Sequence, residues 1–399
     1  MDKIDELLKR GVDKIYPSKE ALEKVLRSGK KIKIYIGADP TAPQLHLGHA
    51  TNFLILKKLQ DLGHKIIILI GDFTGMIGDP TDKLAARRPL AKEQVLENAK
   101  TYKDQLSKIL RFSKENPAEI KFNSTWLSTL TLEDFIRLMA KVTFQQLIER
   151  DMFQKRLTEG KTIGLHELIY PLLQGYDSVA MDVDAEIGGT DQTFNMLMGR
   201  TLMKELKGKE KFVITTELLV NPKNGQKLMS KSEENYVGLN DNAAEMFAKI
   251  MALPDETIEP IFRLCTTVPI RKAEEIKSRL ESGENPMVLK KELAFQIVSE
   301  LHSPEAAQKA QNEFERVFQK REIPEETASI KIAKTRINVV DFLVENNLSS
   351  SRSQAKRLLD QGAIEIDGEI LKENGVEFKE GQVVKIGKKR FVKVMLASS

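Results

Sequence analysis

Between Lys31 and Ile70 the spacing of hydrophobic positions changes twice. Lys31-Ile32-Lys33-Ile34-Tyr35-Ile36 alternates, so Ile32, Ile34 and Ile36 share one face of a strand, and Tyr35 falls with Lys33 off that apolar face. From His46 to Leu62 apolar residues recur at helical spacing, closed by Gly63, and Ile66-Ile67-Ile68-Leu69-Ile70 then reads as a strand buried on both faces. Strand, helix, strand predicts a βαβ unit and an α/β fold with a parallel sheet. The alternation continues. Ala91 to Phe112 predicts one long amphipathic helix, Glu119 to Phe122 a short strand, and Phe212 to Thr215 another. Thr131 opens a helix with Asp134 three residues on, close to a capping box. From about Asn240 to Gln319 strand signals disappear and apolar residues keep helical spacing between Pro254, Pro269, Pro286 and Pro304. Residues 320–335 are polar, carry Pro324 and predict a linker. Beyond it, Ile337 to Asn346 and Ser351 to Gln361 predict two short helices, and Ala363 to Ile366 runs into the hairpin signal Asp367-Gly368. A second hairpin joins Val383–Ile386 to Phe391–Val394 through Gly387-Lys388-Lys389-Arg390.

Composition narrows the class. A chain of 399 residues, 41% hydrophobic, has material for two or three domains with real cores. Its 62 Lys and Arg against 58 Asp and Glu leave a net charge of +4, so any nucleic-acid surface must be local. Cys265 is the single cysteine, which excludes an internal disulfide and a cysteine-based zinc module. The longest apolar run falls far short of the roughly 20 residues that span a bilayer, and the N-terminal residues have no signal-peptide core. A soluble, cytoplasmic protein without membrane partners is expected.

The sharpest chemistry is Gly37-Ala38-Asp39-Pro40-Thr41-Ala42-Pro43-Gln44-Leu45-His46-Leu47-Gly48-His49, between the first strand and its crossover helix. Ligands of open α/β sheets bind there, beyond a strand's carboxyl end and beside a helix N-terminus. His46 and His49, at i and i+3, face one side of the first turn, where they can donate to phosphate oxygens, and Gly48 lets a nucleotide approach the backbone. A second feature, Lys227-Leu228-Met229-Ser230-Lys231-Ser232, follows an Asn224-Gly225 turn. A loop with lysines and hydroxyls can close over a triphosphate and neutralise charge on departing pyrophosphate. The pair suggests nucleotidyl transfer from ATP.

These motifs resemble the HIGH and KMSKS signatures of class I aminoacyl-tRNA synthetases, and over the whole chain the set is similar to bacterial tyrosyl-tRNA synthetases. The marks are Tyr35 ahead of Gly37-Ala38-Asp39-Pro40-Thr41, then Gly71-Asp72-Phe73-Thr74-Gly75-Met76-Ile77-Gly78-Asp79-Pro80, then Tyr170-Pro171-Leu172-Leu173-Gln174-Gly175-Tyr176-Asp177, and Gly188-Gly189-Thr190-Asp191-Gln192. The resemblance implies a Rossmann-like catalytic domain over 1–238, an α-helical anticodon-binding domain over 239–320, a linker over 321–335 and a small α+β, alpha-L RNA-binding module over 336–399. It further implies that the substrate phenol lies between Tyr35 and Asp177, and its ammonium near Asp79, Tyr170 and Gln174, with Gln192 also at the tyrosine subsite. Phenylalanine in that pocket would leave two buried polar groups unpaired, a mode of rejection for which tyrosyl-tRNA synthetases are themselves the standard example. Thr41, His46, His49 and Lys231 would be catalytic. Asp39, Gly48, Asn52, Gly189, Asp191, Lys227, Met229, Ser230 and Lys231 would bind ATP, which enters with Mg²⁺; no permanently bound cofactor and no metal site are expected. Three departures stand out: Leu228 at the first lysine of KMSKS, Ile36 beside Tyr35, and Glu186, where some relatives carry an amide.

The implied partners are L-tyrosine, ATP, tRNA(Tyr) and a second copy of the chain. In the C-terminal module Arg352, Lys356 and Arg357 share a helix face, and Lys388, Lys389 and Arg390 add a second basic cluster suited to RNA phosphates. A tryptophanyl-tRNA synthetase and a non-catalytic RNA-binding paralogue remain as alternatives. Tyr35 with Asp177 argues against the first, and Leu228 is the only support for the second.

Overall fold

The computed structural model describes residues 2–81, 90–229, 236–316, 328–332, 336–349, 351–371, 373–387 and 390–396. The chain divides into two compact units, Met1–Gln308 and Lys309–Ser399.

The first unit is built on a six-stranded sheet of β1 (Val12–Tyr16), β2 (Lys33–Ala38), β3 (Lys65–Ile70), β4 (Glu119–Phe122), β5 (Ala185–Gly189) and β6 (Phe212–Thr216). Its order is β1-β6-β5-β2-β3-β4, with every pair parallel except β1 against β6. Both faces of the central strands are covered, and this moves Tyr35. Alternation puts its side chain opposite Ile34 and Ile36, yet that second face packs on Ile67, Leu69, Met181 and Val183, so Tyr35 is fully buried. The helix Leu47–Asp61 crosses from β2 to β3, and the helices Leu165–Met181 and Thr193–Lys207 flank β5. These last two cross backbone to backbone: a Cβ on Gly199 would sit 3.4 Å from the Gly175 Cα.

The segment expected as one helix over Ala91–Phe112 is two, Lys92–Ala99 and Tyr102–Leu106. Its polar side chains turn inward between them. Thr101 Oγ1 and Gln105 Nε2 donate to the Pro43 carbonyl at 2.6 and 2.8 Å, and Asn98 Nδ2 donates to that of Pro40 at 2.8 Å. These bonds serve carbonyls of the β2–helix connection, and the chain kinks to make them.

The helices Ala243–Met251, Ile258–Cys265, Ile270–Glu281, Pro286–Leu301 and Pro304–Phe314 fill the stretch without strand signals. They stand within the first unit up to Gln308, and not as a separate body. The Arg10 guanidinium donates to the carbonyls of Arg263 (2.7 Å) and Phe262 (3.0 Å), Arg263 forks onto Glu217 at 2.7 and 2.8 Å, and Ile258–Cys265 packs on Leu47–Asp61. Among the described residues no helix is long and apolar enough to cross a membrane.

The second unit carries a sheet of β7 (Ala328–Ile332), β9 (Ile364–Ile366), β10 (Glu369–Ile370), β12 (Val383–Ile386) and β13 (Arg390–Leu396), in the order β10-β9-β12-β13-β7. A separate pair joins β8 (Arg336–Asn338) to β11 (Gly375–Glu377). Asp367 and Gly368 take φ of 49° and 91°, as a two-residue hairpin requires. Two expectations shift. The segment 321–335 contains β7, which pairs parallel with β13 and turns Ile330 and Ile332 to the core, so it is not all linker; its other residues lie outside the described ones. The helix expected from Ile337 starts at Val339, because Arg336–Asn338 pairs as β8 and the Asn338 side chain accepts from Asp341 N at 3.1 Å.

Candidate functional site

β2 and β5 are neighbours, yet β2 leads outward to β3 and β5 leads the other way to β6. Their carboxyl ends therefore part at a switch point. A cavity of about 470 Å³ opens there, and every described residue expected at the catalytic, amino-acid and ATP subsites lines it. Ser230 and Lys231 lie outside the described residues.

One end of the cavity is built from the start of Leu47–Asp61. His46 caps this helix in extended conformation, its N–H donates to His49 Nδ1 at 3.2 Å, and the two rings lie with centroids 3.9 Å apart at a tilt of 35°. Described residues on either side of 230–235 bond near this helix start and at the cavity wall. Leu47 N donates to the Val237 carbonyl at 3.0 Å, and Leu228 N to that of Leu219 at 2.9 Å. A Cβ on Gly48 would lie 3.1 Å from the His46 ring and 3.6 Å from the Met229 Cβ, so the glycine eases the folded-back ring and leaves Met229 at ordinary contact distance. Lys227 pairs with Asp191 at 3.1 Å, at the foot of the Thr190–Gln192 turn. A Cβ on Gly189 would meet Asp191 Oδ1 at 2.6 Å and Leu218 Cδ2 at 2.9 Å, so any larger residue here would displace those two side-chain ends. Asn52 accepts from Thr216 Oγ1 at 2.7 Å, and Thr41 stands exposed at the mouth.

The other end is polar and closed. Asp177 is buried, accepting from Trp126 Nε1 at 2.7 Å and Asn123 Nδ2 at 3.2 Å; burial pushes its pKa well up, against those two donors. Tyr35 OH lies 2.8 Å from Ser178 Oγ, and burial, with Glu186 and Asp177 near, holds its pKa well above the ordinary phenol range. Tyr170 OH donates to Asp39 Oδ2 at 2.8 Å and is raised likewise by burial and by Asp39. Asp39 also accepts from Thr74 Oγ1 at 2.7 Å, so it ties the β2 loop to the Thr74 turn. Asp79 accepts from Gln192 Nε2 at 2.6 Å and from Thr81 Oγ1 at 2.6 Å. Gln174 Nε2 donates to Glu186 Oε1 at 3.1 Å.

Sequence reasoning missed Trp126, Asn123, Ser178 and Lys211, and left Glu186 without a role. Trp126 is the only tryptophan in the chain, a signal that was available. Lys211 is fully buried against Glu186, although in sequence it stands in a lysine-rich turn, Lys207-Gly208-Lys209-Glu210-Lys211, that reads as solvated.

In the second unit Arg352, Lys356, Arg357 and Arg390 are all exposed. Arg390 Nη1 donates to the Leu348 carbonyl at 2.9 Å, which sets the second hairpin beside the start of the Arg352–Asp360 helix. Lys388 and Lys389 lie outside the described residues.

Residues 27–319 match the family model of class I tRNA synthetases (W and Y), and residues 318–394 match that of the tyrosine--tRNA ligase SYY-like C-terminal domain. The chain is 45% identical to the tyrosine--tRNA ligase of Carboxydothermus hydrogenoformans, over 98% of this chain and 97% of the relative. It is 43% identical to that of Moorella thermoacetica, over 97% and 94%. Among solved structures, a C-terminally truncated mitochondrial tyrosyl-tRNA synthetase of Aspergillus nidulans aligns with a TM-score of 0.66 at 22% identity, covering 79% of this chain and 94% of that one. A tyrosyl-tRNA synthetase of Archaeoglobus fulgidus complexed with L-tyrosine aligns at 0.59 and 22%, covering 78% and 100%.

Proposed function

The chain belongs to the tyrosine--tRNA ligases of the class I tRNA synthetases, and from that premise we propose that the cavity between β2 and β5 is where tyrosine is activated. The observation that carries this reading is the meeting in one cavity of the buried Tyr35 and Asp177 with the His46 and His49 helix start. The phenol of tyrosine lies between Tyr35 and Asp177. Its ammonium faces Asp79, Tyr170 and Gln174, with Gln192 holding Asp79 in place. Its carboxylate is then directed along β2 toward the helix start, where the α-phosphate of ATP lies.

Activation transfers the adenylyl group. A carboxylate oxygen bonds to the α-phosphorus, the bond to the bridging oxygen breaks, and pyrophosphate leaves with that electron pair. The carboxylate is ionised at neutral pH, so this step needs alignment and charge stabilisation in place of a general base. Thr41, His46 and Lys231 serve the leaving pyrophosphate. His49, Asn52 and the Gly189–Asp191 turn serve the ribose and its nucleoside. ATP enters as its magnesium salt, the ion belonging to the substrate. With Leu228 at the first lysine position of the loop, Lys227 takes that role, and its pairing with Asp191 holds it over the nucleoside side before ATP arrives. A terminal ribose hydroxyl of tRNA(Tyr) then attacks the tyrosyl carbonyl and AMP leaves.

Arg352, Lys356, Arg357, Lys388, Lys389 and Arg390 form the RNA-facing side of the C-terminal module, and the Ala243–Phe314 helices serve the anticodon arm. A second copy of the chain covers the exposed Leu132, Ile136, Phe144 and Leu165, an apolar surface of the kind that symmetric dimers bury. The work belongs in the cytoplasm, with tRNA and ATP. The deciding experiment is ATP–pyrophosphate exchange without tRNA. Tyrosine supports it and tryptophan and phenylalanine do not; exchange with tryptophan would overturn the assignment of Tyr35 and Asp177.

A further inference from the structure

A buried cation stands behind the phenol end of the cavity, and none of the chemistry above uses it. Lys211, one residue before β6, has no solvent exposure. Its ammonium has three hydrogens and three acceptors: the Glu186 carboxylate, Ser178 Oγ at 2.7 Å and the Met196 carbonyl at 3.2 Å. An ammonium can only donate, so Ser178 Oγ must accept from it. The other contact of that hydroxyl is the Tyr35 hydroxyl, at 2.8 Å. Ser178 is itself fully buried, and if it accepted from Tyr35 as well, its own proton would be left without a partner. Glu186 also stands within hydrogen-bonding reach of Tyr35, and each of its oxygens already accepts one bond, from Lys211 and from Gln174. The Tyr35 proton is therefore turned away from Ser178 and stands available to an acceptor in the cavity that Tyr35 lines.

We propose that Lys211 is a positioning residue for amino-acid selection. It fixes the direction of the chain Lys211–Ser178–Tyr35, so that Tyr35 meets the substrate phenol as a donor while Asp177 meets it as an acceptor. This rests on the reading of Tyr35 and Asp177 as the phenol end. A phenol oxygen then accepts from Tyr35 and gives its own proton to Asp177, and phenylalanine satisfies neither. The space for the chain is made where the two flanking helices cross. A Cβ on Gly199 would lie 2.4 Å from Lys211 Nζ and 2.8 Å from Ser178 Oγ, so the glycine at this crossing admits the ammonium and the hydroxyl together. Glu186, the departure for which sequence offered no role, is the counter-ion that lets a lysine stand there.

The test compares tyrosine and phenylalanine in ATP–pyrophosphate exchange, with thermal unfolding measured alongside. Ser178→Ala cuts the chain and leaves the ion pair; Lys211→Met combined with Glu186→Gln removes both charges at once, so neither is left buried alone. In each, KM for tyrosine rises about tenfold and the tyrosine-over-phenylalanine ratio of kcat/KM falls about tenfold, while KM for ATP stays unchanged. Tyr35→Phe lowers the same ratio, and adding Ser178→Ala to it lowers the ratio no further. A folded Ser178→Ala variant with unchanged selectivity, whatever its melting temperature, overturns the proposal if Tyr35→Phe still loses selectivity. Unchanged selectivity in Tyr35→Phe would instead overturn the reading of Tyr35 on which the proposal stands. If Ser178→Ala does not fold, the charge-free double variant decides by the same ratio.

Discussion

Asp177 has two donors of its own, Trp126 and Asn123, in a place where burial opposes its charge. In the proposed binding mode a tyrosine phenol would add a third donor, so substrate and carboxylate would favour each other, and a substrate without the hydroxyl would bring nothing in return. Asp177→Ala is expected to cost roughly ten- to a hundredfold in kcat/KM for tyrosine, read by pyrophosphate exchange, and to narrow the margin over phenylalanine. A second residue reports on pH. His64 is buried, accepts from Ile32 N through Nδ1 at 3.3 Å, and has its pKa pulled down to about 4 by burial and by Lys31. The folded state favours the neutral ring, so this stability is complete above the ordinary histidine pKa and is lost as pH falls from there toward 4. The loss is roughly 3 kcal/mol, and His64→Gln should flatten that part of the melting-temperature profile between pH 7 and 4. Cavity-lining residues such as His46 and His49 could be singled out from sequence because they sit three residues apart at one helix start. Lys211, Ser178 and Trp126 were not, because each reaches the site from a different element, and spacing along the chain says nothing about which lysine is buried.

Elements were most legible where one pattern governs many residues. The unbroken apolar run of β3 and the alternation of β2 both stand in the sheet with the boundaries shifted by two residues or fewer. The misreadings come from competing bonds. Ala91–Phe112 has a continuous helical pattern, yet its polar side chains bind the carbonyls of Pro40 and Pro43 and break it in two. β7 was hidden because its alternation, Ile330 and Ile332, is only two residues long and lies in a polar stretch. The helix Leu132–Met139 was legible by its capping box, which is present: Asp134 N donates to Thr131 Oγ1 at 3.1 Å. Its outer face is the informative one. Leu132, Ile136 and Met139 fall at i, i+4 and i+7, all exposed, while Leu138 turns inward. A self-complementary pairing would bury this stripe with Phe144 and Leu165. Ile136→Glu, set in a largely exposed position, should leave the fold intact and shift the mass seen by light scattering from twice the chain to one; a wild-type chain already at single mass would refute the pairing.

The whole molecule joins an adenylating unit to a smaller one with a core of its own. Val339, Phe342, Leu343, Ile364, Phe378, Val384, Val392 and Val394 pack together wholly within the second unit, and none is borrowed from the cavity or its sheet. Among the described residues, those that line the cavity all lie between Tyr35 and Met229, within the first unit. The two half-reactions should therefore separate. Removing residues 320–399 takes away β7 through β13 and keeps the Pro304–Phe314 helix whole. Tyrosine-dependent pyrophosphate exchange by the truncated chain should stay within about twofold of the full chain, because every described residue that lines the cavity is kept. Charging of tRNA(Tyr) should fall by tenfold or more, with the basic side chains of the module gone. With the full chain, charging should weaken as salt rises, and more steeply than with the truncated one, because each Lys or Arg contact to phosphate displaces condensed counterions. Parallel loss of exchange and charging would mean that the second unit supports the adenylation site itself, and the division of labour would be wrong.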